Sequence, residues 1–175
     1  LVGCQAKAIN LPLIKQKTMG KKEQELKDLR KAMQKAKSKY KIRGIVSGAV
    51  LSTYQASRIQ RICRDLNLHC FNPLWLKDQF EILNEASKFN VIITKIAAEG
   101  LTKDFLEKRI NKKTIQELKI LHTKYKINPA FEGGEAETFV CFAPFFKKQI
   151  KIIRSEKVME NKNTGYLKIN KVKLQ

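Results

Sequence analysis

Apolar positions recur along the chain with two different periods. Leu1, Val2, Ala6 and Ile9 fall on one side of a helix that ends near residue 10. Residues 11–18, LPLIKQKT, read as a strand. Residues 19–40 read as a long helix in which Leu26, Leu29, Met33 and Ala36, at i, i+3, i+7 and i+10, form a narrow apolar stripe on a charged rod. KIRGIVSGAV (41–50) is a second strand, with Ile42, Ile45 and Val46 apolar. LSTYQASRIQRICRDLNL (51–68) is a helix, because Leu51, Tyr54, Ile59, Ile62, Cys63 and Leu66 return at helical spacing. HCFNPLW (69–75) is a short strand closed by Pro73. Strands that alternate with helices imply parallel βαβ units and a layered α/β sheet.

Beyond Trp75 the order changes. Residues 77–90 predict a helix, 91–101 a long buried strand, and 102–125 a helix. AETFVCFAP (136–144), FKKQIKIIRSEKVM (146–159) and TGYLKINKVKL (164–174) predict strands, the last antiparallel to its predecessor through the short connection at Asn163 to Gly165. The expected division is an α/β domain over residues 1–74 and an α+β domain over 75–175. No Gly/Ser/Pro linker, internal repeat or low-complexity segment separates them.

At 175 residues the chain is long enough to bury a sizeable core. No run approaches the roughly 18 consecutive apolar residues of a membrane helix. The start lacks the basic-then-apolar order of a signal peptide. It also has no Met and sits within a helical pattern, so further sequence is expected upstream. Cys4, Cys63, Cys70 and Cys141 form no C-x-x-C pair and no metal-ligand spacing with histidine, which fits reduced cysteines in a cytoplasmic protein. The net charge of +20 admits an acidic partner. However, 29 of the 36 basic residues are lysines spread widely. Specific nucleic-acid readers lean on arginine and stacked aromatics, so direct nucleic-acid binding is not expected.

Four segments are candidates for chemistry. Ser47, Gly48 and Ala49 stand where a strand ends and a helix begins, the edge at which open α/β sheets bind ligands, with Tyr54, Gln55 and Arg58 on the following turns. The same residues would also suit a plain turn. Trp75, Asp78 and Gln79 lie at the domain junction, where a tryptophan suits a core and Asp78 a helix N-terminus. Glu99 follows an apolar strand and precedes Gly100. It could meet a substrate or a surface lysine. In NPAFEGGEAETFV, Asn128 opens a turn, Gly133 and Gly134 allow positive φ, and Glu132, Glu135 and Glu137 flank the bend. In a strand Glu135 and Glu137 would share a face and raise each other's pKa, unless a cation or donor offsets them. An acidic hairpin balanced by lysines is the alternative. His69 and His122 have no partner motif and read as structural or surface residues.

Taken in order, GIVSGAVLSTYQASRIQRIC, NPLWLKDQ, TKIAAEGL, NPAFEGGEAETFV and APFFKKQI resemble the diphthine–ammonia ligases, and the match extends to about Ile153. The resemblance implies a partial parallel-sheet PP-loop (HUP-like, ATP-pyrophosphatase) nucleotide-binding domain followed by an α+β substrate-binding domain. It also implies a ligase of diphthamide biosynthesis acting on the diphthine-modified translocation elongation factor. ATP, with Mg, activates the carboxylate as an acyl-adenylate, and ammonia or ammonium is the co-substrate. By position, Ser47, Gly48 and Ala49 would bind nucleotide. Glu132 and Glu135 would be catalytic. Tyr54, Gln55, Arg58, Trp75, Asp78, Gln79, Glu99, Asn128, Gly133, Gly134, Glu137 and Thr138 would line the substrate cleft, with no metal ligand from the protein. A homo-oligomer is compatible with this reading.

The family's S-G-G-x-D-S loop is not in these residues. It is expected upstream, and the 175 residues alone are not expected to adenylate a substrate. The family carries a small residue or Cys-Gly pair where Ala130 and Phe131 stand, Tyr at Ala136 and often Asp at Phe142. These departures motivate the alternative: a non-catalytic relative that binds the elongation factor or a ribonucleoprotein.

Overall fold

The first apolar turn folds as expected. In the computed structural model, which describes residues 1–19 and 24–175, α1 (Val2–Ile9) ends on Asn10 in the left-handed conformation, φ 62°. The described residues divide into two compact units, Leu13–Lys77 and Asp78–Gln175 together with Leu1–Pro12. The first twelve residues, grouped by sequence with the α/β part, thus belong to the later unit.

Residues 11–18, which run from the end of Leu1–Pro12 into the unit Leu13–Lys77, form no strand, contrary to the hydrophobic reading, and Leu11 and Leu13 are exposed. A strand needs a partner edge, and among the described residues none pairs with this segment. The helix expected over 19–40 is α2 (Gln24–Tyr40); residues 20–23 of that expectation lie outside the described residues. The second strand is short, β1 (Gly44–Val46). It pairs in parallel with β2 (His69–Phe71), Ile45 opposite Cys70. Between them runs α3 (Thr53–Asp65), capped by Ser52, whose hydroxyl accepts from the Gln55 N–H. The 3.6-residue period buries Ile62 and Cys63 of α3, with Leu66 at its C-cap, against Met33 and Leu68.

The other unit continues with α4 (Gln79–Ser87), β3 (Asn90–Ala97), α5 (Lys112–Tyr125), β4 (Ala136–Phe142), β5 (Ile150–Met159) and β6 (Thr164–Leu174). Its strands form an antiparallel sheet in the order β4-β3-β6-β5. β3 is buried on both faces. Val91 and Ile93 face a core with Leu83, Leu106 and Leu118, whereas Ile92 faces Ala8, Phe139 and Cys141. The register shifts between Ile93 and Lys95, so Ile96 returns to the helix-covered core and Lys95 stays exposed.

The helix expected from residue 102 starts only at residue 112. Residues 102–110 make a single 3₁₀ turn (Lys103–Phe105) and a bridge from Arg109 to Ile92. This stretch buries Phe105, Leu106 and Ile110. Asn111 then caps α5 by accepting from the Thr114 N–H at 3.0 Å. The fold is therefore α/β, with a parallel pair in one unit and an antiparallel sheet covered by helices in the other. Among the described residues no helix is long and apolar enough to cross a membrane.

Candidate functional site

The acidic loop is built around one carboxylate. Glu135 precedes β4, and its side chain turns back into loop 128–135. Its Oε1 accepts from the Asn128 N–H (2.9 Å) and the Asn128 side-chain amide (2.7 Å). Its Oε2 accepts from the Gly133 N–H (2.8 Å). Gln79, the first residue of α4, completes the ring: its Oε1 accepts from the Ala130 N–H at 3.0 Å, and its amide donates to Asn128 Oδ1 at 3.5 Å. Gly133 is required here, because a Cβ would stand 2.6 Å from Glu135 Oε1 and 2.9 Å from the Asn128 amide nitrogen. Pro129 is fully buried. Phe131, where the resembling family carries a small residue or Gly, is buried at φ 64°, a conformation that favours glycine.

These contacts decide the electrostatics. Burial alone would push the Glu135 carboxyl up, but donors outweigh it and hold it below its ordinary value. They are the Asn128 N–H, the residue's own N–H, the Asn128 amide and the Gly133 N–H. Glu135 and Glu137 do not share a strand face in mutual repulsion. Glu135 lies outside β4, and exposed Glu137 pairs with Lys95 at 3.0 Å. Thr138 is exposed on β4, and Glu132 is half-buried in the loop. Asp78 caps α4, accepting from the Phe80 and Glu81 N–H groups at 2.8 and 3.0 Å.

Glu99 is exposed in the turn after β3. It lies at the same end of the sheet as the acidic loop, because the Ala97 N–H donates to the Glu135 carbonyl at 2.7 Å. His122 is structural: Nδ1 donates to the Ile127 carbonyl at 2.7 Å, and the ring meets Phe80 edge-on.

Gly134 stands in the acidic loop at φ 84°, and the remaining sequence-predicted residues lie in the unit Leu13–Lys77. Ser47 follows β1, and its N–H donates to the Phe71 carbonyl at 3.0 Å. Its hydroxyl donates to Asn72 Oδ1 at 2.6 Å and accepts from the Ala49 N–H at 3.3 Å, cross-linking the carboxyl ends of the two parallel strands. Asn72 was not singled out by sequence; its one signal is its place just past β2 and before Pro73. Gly48 has no heavy atom within 4 Å of where a Cβ would be, so its backbone borders open space. The Arg58 guanidinium lies 3.2 Å from the centre of the Tyr54 ring. Tyr54, Gln55 and Arg58 line a groove of about 450 Å³ between α3 and α2, floored by Leu26, Leu29 and Ile59. Half-buried Trp75 sits in the turn after β2, its N–H donating to the Asn72 carbonyl at 3.1 Å.

Two family models match almost the whole chain: the diphthamide synthase N-terminal domain over residues 1–70 and the diphthamide synthase C-terminal domain over 73–174. The chain is similar to the diphthine–ammonia ligase of Mus musculus, 36% identical over 160 residues, covering 86% of this chain and 59% of the relative. It is also similar to that of Schizosaccharomyces pombe, 33% identical over 180 residues, covering 94% of this chain and 29% of the relative. The human ligase is 36% identical over 143 residues, covering 78% of this chain and 52% of the relative. The chain thus spans well under two thirds of the length of these relatives.

Proposed function

The chain belongs to the diphthamide synthase family, and from that premise we propose that it serves the ATP-dependent amidation of diphthine to diphthamide on the translocation elongation factor. The reaction class activates the diphthine carboxylate with ATP, releases pyrophosphate, and ends when ammonia displaces AMP at the acyl carbon and gives up a proton. A cytoplasmic setting goes with that substrate.

One observation carries the reading. The motif that most distinguishes the chain, NPAFEGGEAETFV, is a built loop whose backbone and side-chain donors converge on Glu135, not a solvated hairpin. Three donors already occupy that carboxylate, so we assign Glu135 as a positioning residue rather than the acid that meets the reacting groups. Glu132, in the same loop, is the carboxylate assigned to the trimethylammonium of diphthine or to the incoming ammonium. Gln79, Asn128 and Gly133 hold the loop, and Glu99, Glu137 and Thr138 border it.

Residues 47–49 are assigned to the nucleotide. The open space beside Gly48 fits a close backbone approach by a ligand, and the parallel strand ends beside it are where such sheets take nucleotides. Magnesium would be held chiefly by the phosphates themselves. Tyr54, Gln55, Arg58 and Trp75 are assigned to the surrounding wall.

The test is an assay of the complete gene product with diphthine-bearing elongation factor, ATP and ammonium, reading pyrophosphate release and conversion of carboxyl to carboxamide by mass. Both products are expected. Pyrophosphate release without amide would refute the proposed reaction, and so would amide formation that persists without ATP.

A further inference from the structure

The unit Leu13–Lys77 holds sixteen Lys and Arg against four Asp and Glu in its sequence, and five of the chain's seven arginines. Two of the five are engaged: Arg30 pairs with Asp65 at 3.0 Å, and Arg58 stacks on Tyr54. Arg61 and Arg64 are exposed and have no ion pair among the described residues. With Ser57 they stand at i, i+4 and i+7 on one face of α3, opposite its buried apolar stripe.

Like charges at this spacing oppose helix formation. The helix C-terminus accounts for Arg64, which lies in the last turn, but not for Arg61. Both side chains border a groove of about 720 Å³ between the second half of α3 and the start of β2, where Gln60, Ser57, Asn67 and His69 add further donors. Asp65, the acid on this helix, is already taken by Arg30.

We propose that this groove docks an Asp- and Glu-rich segment of the protein that the chain modifies; that the partner is a protein rests on the function proposed above. Guanidinium groups match carboxylates two bonds at a time. Single-stranded nucleic acid would call for aromatic platforms as well as charge, and the groove is lined by no Phe, Tyr or Trp.

Fluorescence anisotropy of a labelled polyglutamate peptide against the 175-residue chain at low ionic strength tests the proposal. R61E/R64E should weaken binding about tenfold or more, and added salt should weaken the wild-type complex. K171E/K173E, the same charge change on β6 of the other unit, should cost less than about twofold. R61Q/R64Q, which removes charge without adding acid, should fall between, with an unchanged circular dichroism spectrum separating lost docking from misfolding.

Equal losses in the two reversals would reduce the effect to net charge and overturn the groove. Tighter, Arg61- and Arg64-dependent binding of oligouridylate would overturn the choice of partner, and no peptide binding at low salt would overturn both. The assay contains neither ATP nor ammonia, so its failure leaves the ligase reading standing, and failure of the amidation assay leaves this binding measurement intact.

Discussion

Asn128 donates from its backbone N–H and its side-chain amide to the same oxygen, Oε1 of Glu135, at 2.9 and 2.7 Å. One residue thereby closes both ends of the acidic loop on a single carboxylate. The Gly133 N–H on the other oxygen fixes the middle of the loop.

Replacing that carboxylate by its neutral isostere tests the ring. In E135Q the carboxamide can face its oxygen to Asn128 only by turning its NH₂ toward the Gly133 N–H, donor against donor. A loss of about 1–3 kcal/mol is expected from the unpaired groups. Urea unfolding should report it, and amide hydrogen exchange at Asn128 and Gly133 should accelerate while exchange in β5 and β6 stays slow. Amide formation by the complete protein should be abolished; wild-type turnover would show that the loop is only a turn.

The pH dependence has a defined sign. The folded Glu135 carboxyl titrates below its ordinary value, so its contribution is present at neutral pH. It fades as pH falls past the ordinary glutamate value of about 4.3 and on through the lower folded value. Wild type should lose its stability advantage over E135Q across that acidic window and keep it unchanged between pH 6 and 8. An advantage that instead grew on acidification would contradict the donor ring.

Two neighbouring glycines should respond differently to alanine. At Gly133 a Cβ must displace Glu135 Oε1 or the Asn128 amide, which breaks the ring, at a cost of about 1–3 kcal/mol. At Gly134 the space is open but φ is +84°, so G134A should cost only the left-handed strain, about 1 kcal/mol. Thermal melts and hydrogen exchange of the two variants check the order, and only G133A should expose the Asn128 amide.

Cysteine reactivity should follow burial. The Cys63 thiol is pushed up to about 11 by burial, with neighbouring Cys70 adding to it, and Cys141 to about 11 by burial and then the Glu107 carboxylate. At pH 8 iodoacetamide should leave both unmodified in the folded chain and label both in urea, as peptide mass mapping would show.

Much of the fold was legible because each signal was local. The period in residues 51–68 marks α3, its buried Ile62 and Cys63 and the capping Leu66, and the alternation in 164–174 marks β6. Elements set by pairing or by a single cap were not. Residues 11–18 have a strand's composition but pair with no described edge. The start of α5 depends on Asn111, hidden inside a continuous helical pattern, while Phe105 and Leu106 are drawn into the core beneath it.

At the site, the two glycines and the glutamates announced an acidic bend. Glu135 turns inward because the loop closes on it through Asn128 and Gly133, while Gln79, 51 residues from Ala130, ties that loop to α4, and no spacing rule carries either. The cross-link of Ser47 to Asn72 was equally hidden, because it joins two strand ends that only the parallel pairing brings together.

The same ring bears on the thermodynamics of recognition. Glu135 acts as a resident anion, filling from within the nest of N–H donors that a flexible loop would otherwise gather around an incoming ligand. The conformational entropy of ordering residues 128–135 is then lost once, when the unit folds, and not again at each encounter. Under the proposed function, a substrate meeting this loop would find a preformed template, and its binding energy would go into discrimination rather than into shaping the protein.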